Sequence, residues 1–158
     1  MEENNGTTII VMSGDFDKVF AAFNIAVGAA SMGKETNMFF TFWGLKAIQK
    51  GNFTGHSFFG RLIGIMNRGG INRIGPSQFN FWGLGRWMFK KIMKNHHMTP
   101  LEEIRKTAIE LGVKLMPCQM SMDLMEIRAE DLIDGVEESC GVATMLERAD
   151  HSKQTLFI

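Results

Sequence analysis

Short β-branched or aromatic runs alternate along the chain with stretches in which apolar residues recur at helical spacing, and this alternation sets the expected order of elements. Thr7 to Met12 reads as a buried strand that stops at Ser13-Gly14-Asp15. From Phe16 to Met32 the residues Val19, Phe20, Phe23, Ala26, Val27 and Ala30 follow a helical period, with Asp15 placed to cap the start and Gly33 to end it. Thr36 to Phe42 is apolar almost throughout, as a strand covered on both faces would be.

The same alternation resumes near Thr99. Thr99 and Pro100 suit the N-cap and first position of a helix running to Leu111, and Gly112 suits its end. Val113 to Cys118 reads as a third strand that delivers Cys118 at its carboxyl end. Ser121 is placed to cap a short helix reaching Met125 to Ile127. Leu132 to Val136 reads as a short strand, Ser139 to Arg148 as a helix and Gln154 to Ile158 as a last strand. Strands separated by helices predict an α/β fold, a mostly parallel sheet of about five strands with helices on both faces.

Residues 43–98 break that rhythm and read as a helical insertion after the second strand, within one domain spanning 1–158. Glycines and Pro76 punctuate it. Its clearest helix is Phe79 to Lys94, with Arg86, Lys90, Lys91 and Lys94 on one arc and Phe81, Trp82, Met88, Phe89, Ile92 and Met93 on the other. The formal net charge of the chain is zero, yet no acidic residue lies between Glu35 and Glu102, where nine lysines and arginines fall. A basic centre between acidic flanks predicts an anionic partner, or pairing with acidic surface of its own or of a neighbouring subunit.

Two cysteines, Cys118 and Cys140, and a polar, acidic start at Met1-Glu2-Glu3-Asn4-Asn5 suit a reducing compartment, so the cytoplasm is expected. No run of about 18 apolar residues predicts a spanning helix. A thiol at the end of a parallel strand and ahead of a helix faces conditions that favour thiolate, the nucleophile of sulfur chemistry. Position alone leaves that reading level with buried apolar filler. Cys140, beside Gly141, Val142 and Ala143, reads as a small core residue within a helix, and nothing local supports a Cys118–Cys140 disulfide.

The residues around Cys118 decide between the two. Cys118-Gln119-Met120-Ser121-Met122-Asp123-Leu124-Met125 resembles the cysteine motif of the DsrE/DsrF-like sulfur-carrier family, in its branch with a C-x-M-S-M core. Ser13-Gly14-Asp15, Ala29-Ala30-Ser31-Met32-Gly33, Phe39 to Leu45, Asp134-Gly135-Val136 and Gly141 to Thr144 are similar to further segments of that family, in the same order. The resemblance implies a flavodoxin-like three-layer sandwich, assembly into a homo-oligomer, and a cysteine that takes sulfane sulfur from donor proteins or low-molecular-weight persulfides and yields it to an acceptor thiol. It implies Cys118 as the reactive residue, with Ser121 and nearby amides stabilising its anion. Asp15 and Trp43 would border the same crevice, beside their plainer roles of helix cap and core aromatic. Met120 and Met122 would form a soft apolar wall or pack in the core. Whether transfer is catalytic stays open.

The histidines His56, His96, His97 and His151 follow no zinc-binding spacing, so no metal is expected. No G-x-G-x-x-G, P-loop or G-x-S-x-G pattern occurs, so a dinucleotide, P-loop or serine-hydrolase reading lacks its main support and no cofactor is expected; a flavin-dependent enzyme, which would show as colour, ranks last among the alternatives. Nucleic-acid binding is not expected either, since the acidic flanks weaken the field and no recognition motif is present. The alternative reading, of another class, is a non-catalytic peripheral-membrane or assembly module that uses the basic aromatic insertion. Packing of that aromatic face on the sheet or on another subunit is the ordinary counterpart.

Overall fold

The computed structural model describes residues 5–158, so Met1 to Asn4 of the polar start lie outside the described residues. Strands β1 (Gly6–Val11), β2 (Thr36–Phe40), β3 (Lys114–Pro117) and β4 (Ser152–Phe157) form one sheet in the order β3-β2-β1-β4. Every adjacent pair is parallel. Helices α1 (Phe16–Ser31), α2 (Phe58–Met66), α3 (Leu84–Asn95), α4 (Leu101–Glu110), α5 (Gln119–Leu124) and α6 (Val142–Asp150) connect or flank them. The chain moves from β1 to β2 to β3 in one direction and returns to β4 on the far side of β1. Right-handed crossovers therefore put α1 and α4 on one face and α6 on the other. This is the expected α/β three-layer architecture, with four strands in place of about five.

The parallel register carries the strand alternation straight into packing. Ile9 pairs with Met38 and Met38 with Leu115, so these side chains share a face with Val11 and Phe40. That face packs on Val19, Ala22, Phe23 and Ala26 of α1 and on Leu101, Ile104 and Ala108 of α4. The rings of Phe23 and Phe40 lie 5.9 Å apart, and truncating such a buried phenylalanine costs about 3–5 kcal/mol. The opposite face carries Ile10, Phe39, Met116 and Cys118, and Met145 is the buried residue of α6 that closes over it. The two faces are therefore unequally covered.

Several boundaries differ from those the pattern predicts. Leu132 to Val136 is not a strand. The chain there makes only isolated bridges, Gln49 with Leu132 and Leu115 with Val136, before Cys140 bridges Cys118. The segment thus runs beside β3 as a rudimentary fifth edge without regular pairing. The helix expected from Ser139 begins at Val142, leaving Cys140 outside it. Helix α5 starts at Gln119 with Cys118, not Ser121, at the N-cap. Within the insertion, α3 begins at Leu84 rather than near Phe79, because Trp82 adopts the left-handed conformation (φ 55°) and interrupts the ladder.

The insertion is tied to the body at its start and again past its middle. Its first turn, a 3-10 helix at Phe42–Ile48, contributes Leu45, Ala47 and Ile48 to the main core. Further along, Phe16 N–H donates to Gly75 O at 2.8 Å, and Ser77 donates to both carboxylate oxygens of Asp17. Elsewhere in the insertion many apolar side chains stay exposed, among them Phe58, Phe59, Met66, Phe79, Phe81, Trp82 and Trp87. Of the apolar arc of α3, Phe89 meets Phe16 of α1 with ring centroids 6.2 Å apart and Met93 is buried, whereas Met88 and Ile92 stay exposed.

Candidate functional site

The carboxyl ends of β1, β2 and β3 are aligned by backbone bonds. Thr41 N–H donates to Val11 O (3.0 Å) and Cys118 N–H to Phe40 O (2.9 Å). The turns after the first two strands approach so closely that a Cβ on Gly44 would collide with Val11 O, which explains a glycine there. Asp15, Trp43 and Cys118 consequently follow three neighbouring strands at one end of the sheet. β1 and β3, the strands that lead to Asp15 and Cys118, stand two strand spacings apart, about 10 Å. The reversal of strand order lies between β1 and β4, so Asp15 borders that switch point whereas Cys118 stands at the other side of the sheet.

Cys118 is 1% exposed and packs with Phe39, Met116, Met145 and Cys140 on the thinly covered face. It is the N-cap residue of α5, and its carbonyl accepts from Met122 N–H at 3.0 Å. Its side chain makes no capping bond to the helix amides. Gln119 N–H is taken by Cys140 O, at 3.0 Å.

The supporting residues fall in different surroundings. Ser121 is fully buried and its Oγ lies 2.8 Å from Thr41 Oγ1, so its hydroxyl partner is Thr41. Met122 belongs to the main core, whereas Met120 is 58% exposed, so the two do not form one wall. Asp15 occupies the N-cap position of α1 without a side-chain cap bond. Its Oδ2 instead accepts from Ser13 Oγ (3.0 Å) and faces Lys18 Nζ (3.4 Å). Trp43 is 46% exposed and is not a core aromatic.

Three relationships were not legible in the pattern. Cys140 stands beside Cys118 in parallel register, donating to Pro117 O (3.0 Å) and accepting from Gln119 N–H, so its two bonds bracket Cys118. Burial pushes the Cys140 thiol up, and the neighbouring Cys118 and Glu137 push the same way, against Arg148. Second, Ser139 Oγ donates to Gln119 Oε1, while Gln119 Nε2 donates to Asp123 Oδ1 at 2.7 Å, which clasps the Cys140 segment to α5. Third, Glu126 accepts from Ser57 Oγ, Ser57 N–H (2.9 Å) and His56 N–H (2.6 Å) at the start of α2. Those bonds hold its carboxyl down to about 2, and a Cβ on Gly60 would collide with it. The insertion is thereby latched to the loop that follows α5.

Among the described residues no group of three or more histidine, cysteine or acidic side chains is arranged to hold a metal ion. No helix among them is long and apolar enough to cross a membrane.

Comparison with known proteins adds the family. The chain is 38% identical over 159 residues to YrkE of Bacillus subtilis (strain 168), covering 99% of each. It is 31% identical over 160 residues to the sulfur carrier protein DsrE2 of Allochromatium vinosum, again covering 99% of each. The crystal structure of the ychN protein from E. coli superposes with a TM-score of 0.61 at 11% identity, over 98% of this chain and 99% of that one, which bears on the fold alone. Residues 3–157 match the DsrE/DsrF/DrsH-like family, and with that match over nearly the whole chain and relatives similar over their full length, the chain belongs to that family.

Proposed function

We propose that this protein is a sulfur-relay protein that accepts sulfane sulfur as a persulfide on Cys118 and passes it to an acceptor thiol. The observation that carries the reading is the position of Cys118, at the carboxyl end of β3 and the N-cap of α5, in a chain similar over its whole length to a sulfur carrier protein. The C-x-M-S-M core around it is part of the same proposal. In the loading step the Cys118 thiolate attacks the outer sulfur of a donor R–S–SH. The S–S bond breaks, R–S⁻ leaves, and Cys118 holds S–SH. An acceptor thiolate reverses the step on its own sulfur. Neither direction needs a separate acid or base, which suits a site whose nearby hydroxyl, that of Ser121, is engaged with Thr41.

Because Cys118 is buried, loading requires its cover to move. That cover is Met145 of α6 and the Cys140 segment. Intact-protein mass spectrometry after brief exposure to inorganic polysulfide tests the reading. A gain of sulfur that reductant reverses, and that Cys118→Ser abolishes, is the expected result. The same gain in Cys118→Ser would remove it.

The exposed aromatic residues of the insertion favour a second role that is compatible with the first. Phe58, Phe59, Trp82 and Trp87 stand in solvent among Arg61, Lys90, Lys91 and Lys94, a combination suited to an anionic membrane surface. Flotation with phosphatidylserine vesicles, lost on Trp87→Glu, would support it. A homo-oligomer that buries the same residues is the other outcome, read by sedimentation.

A further inference from the structure

Cys118 and Cys140 are 22 residues apart in sequence and adjacent in the fold, each in its free form. Cys140 donates to the residue before Cys118 and accepts from the residue after it, so this register does not slip without breaking both bonds. Partners in parallel register point their side chains to the same face. Both thiols accordingly belong to one cluster with Phe39, Met116 and Met145. Neighbouring strands lie about 4.8 Å apart, inside the Cα range of about 4.4–6.8 Å that a disulfide spans. A disulfide holds its β-carbons about 3.8 Å apart, closer than the strand spacing, so bond formation asks for an approach of the two segments. The Cys140 segment, an irregular edge joined to β3 by isolated bridges, is the side free to make it.

We propose that Cys140 is the resolving thiol for a persulfide on Cys118, which gives the protein a second activity, reduction of sulfane sulfur to hydrosulfide. This inference rests on the persulfide reading of Cys118. The Cys140 thiol loses its proton to solvent base, and its thiolate attacks the inner sulfur, Sγ of Cys118. The Sγ–S bond of the persulfide breaks and its electron pair leaves with the outer sulfur as HS⁻. The sulfane sulfur is reduced to sulfide, and the two cysteines are oxidised to a Cys118–Cys140 disulfide. A dithiol reductant then restores both thiols by two successive exchanges, becoming a disulfide itself. Cys118 alone holds its sulfur for an external acceptor, whereas Cys118 with Cys140 beside it has an internal one. Competition between the two sets how much sulfur is relayed and how much is released.

The experiment uses the full chain, fully reduced, loaded with inorganic polysulfide and freed of excess. Wild type, Cys140→Ser, Cys140→Ala and Cys118→Ser are followed by intact mass, by peptide mapping and by trapping of released sulfide. Wild type is expected to gain one sulfur transiently, release about one sulfide per loaded chain, and finish two hydrogens lighter than the reduced protein, with the Cys118 and Cys140 peptides linked. Both Cys140 variants should keep the added sulfur at least about tenfold longer and release no sulfide without added thiol. If wild type keeps its sulfur as long as Cys140→Ser and no linked peptide forms, the resolving role is wrong and the carrier reading stands. Sulfur held by Cys118→Ser would overturn the assignment of roles to the two thiols. Failure of every chain to take up sulfur, Cys140→Ser included, would overturn the carrier reading and this inference with it.

Discussion

Ser121 Oγ and Thr41 Oγ1 lie 2.8 Å apart and join the first turn of the cysteine helix to the end of β2. Ser121 is wholly buried, so its hydroxyl depends on Thr41 for a partner. Replacing Thr41 by valine should cost about 1–3 kcal/mol by leaving that oxygen unsatisfied. The double variant Thr41→Val/Ser121→Ala should recover much of the loss. Urea denaturation of the two single variants and the double variant measures the coupling, and strict additivity would contradict it.

Glu126 provides a pH-dependent latch. Its carboxyl is held down to about 2, from an ordinary 4.5, by the Ser57 hydroxyl first and then by the Ser57 and His56 amides. A depressed carboxyl adds stability that is present above the unfolded value and disappears as pH falls from about 4.5 through about 2. Limited proteolysis within residues 49–98 should therefore accelerate in acid, ahead of loss of the sheet. Glu126→Gln should show the same cleavage at neutral pH, and an unchanged cleavage pattern would argue against the latch.

The raised Cys140 thiol fixes the pH profile of the resolving step. Below its pKa the thiolate fraction climbs about tenfold per pH unit, so the persulfide should shorten in lifetime as pH rises. Burial raises that pKa first, then Cys118 and Glu137 push the same way and Arg148 the opposite way. Glu137→Gln should speed the step at neutral pH and Arg148→Ala should slow it. Lifetimes that do not vary with pH in the wild type would separate Cys140 from the chemistry.

Gly44 tests the alignment of the strand ends. Any side chain there meets Val11 O, so Gly44→Ala should destabilise the protein by about 1–3 kcal/mol or more. The effect should appear as a lower denaturation midpoint, whereas Gly28→Ala, in open space on α1, should not lower it.

The first three strands and the helices between them were readable because each buries a face whose period is local. Val19, Phe23 and Ala26, or Ile9 and Val11, announce their element within a few residues. The edge near Val136 to Cys140 was not readable, since its bridges go to Leu115 and Cys118 across an irregular stretch with no repeating face. Helix α3 starts later than its apolar arc suggests, because Phe81 and Trp82 continue that arc while the Trp82 backbone turns left-handed. The place of Cys118, at the end of β3 and ahead of a helix, was legible from the apolar run that precedes it. Its neighbour Cys140 and the Glu126 latch were hidden, since register between distant segments and a carboxylate that meets an amide 69 or 70 positions away leave no periodic trace.

The unequal clothing of the sheet sets how a buried thiol meets the outside. Helix α6 has Met145 as its buried side chain, and its Arg148 pairs with Glu35 at the surface, a link of at most about 1 kcal/mol. Opening that layer leaves the α1 and α4 side intact, so it requires much less free energy than unfolding the domain. Amide hydrogens of α6 should exchange earlier than those of α1. The rate at which Cys118 is alkylated should then follow that partial opening, which makes access to the sulfur a matter of breathing rather than of a permanent door.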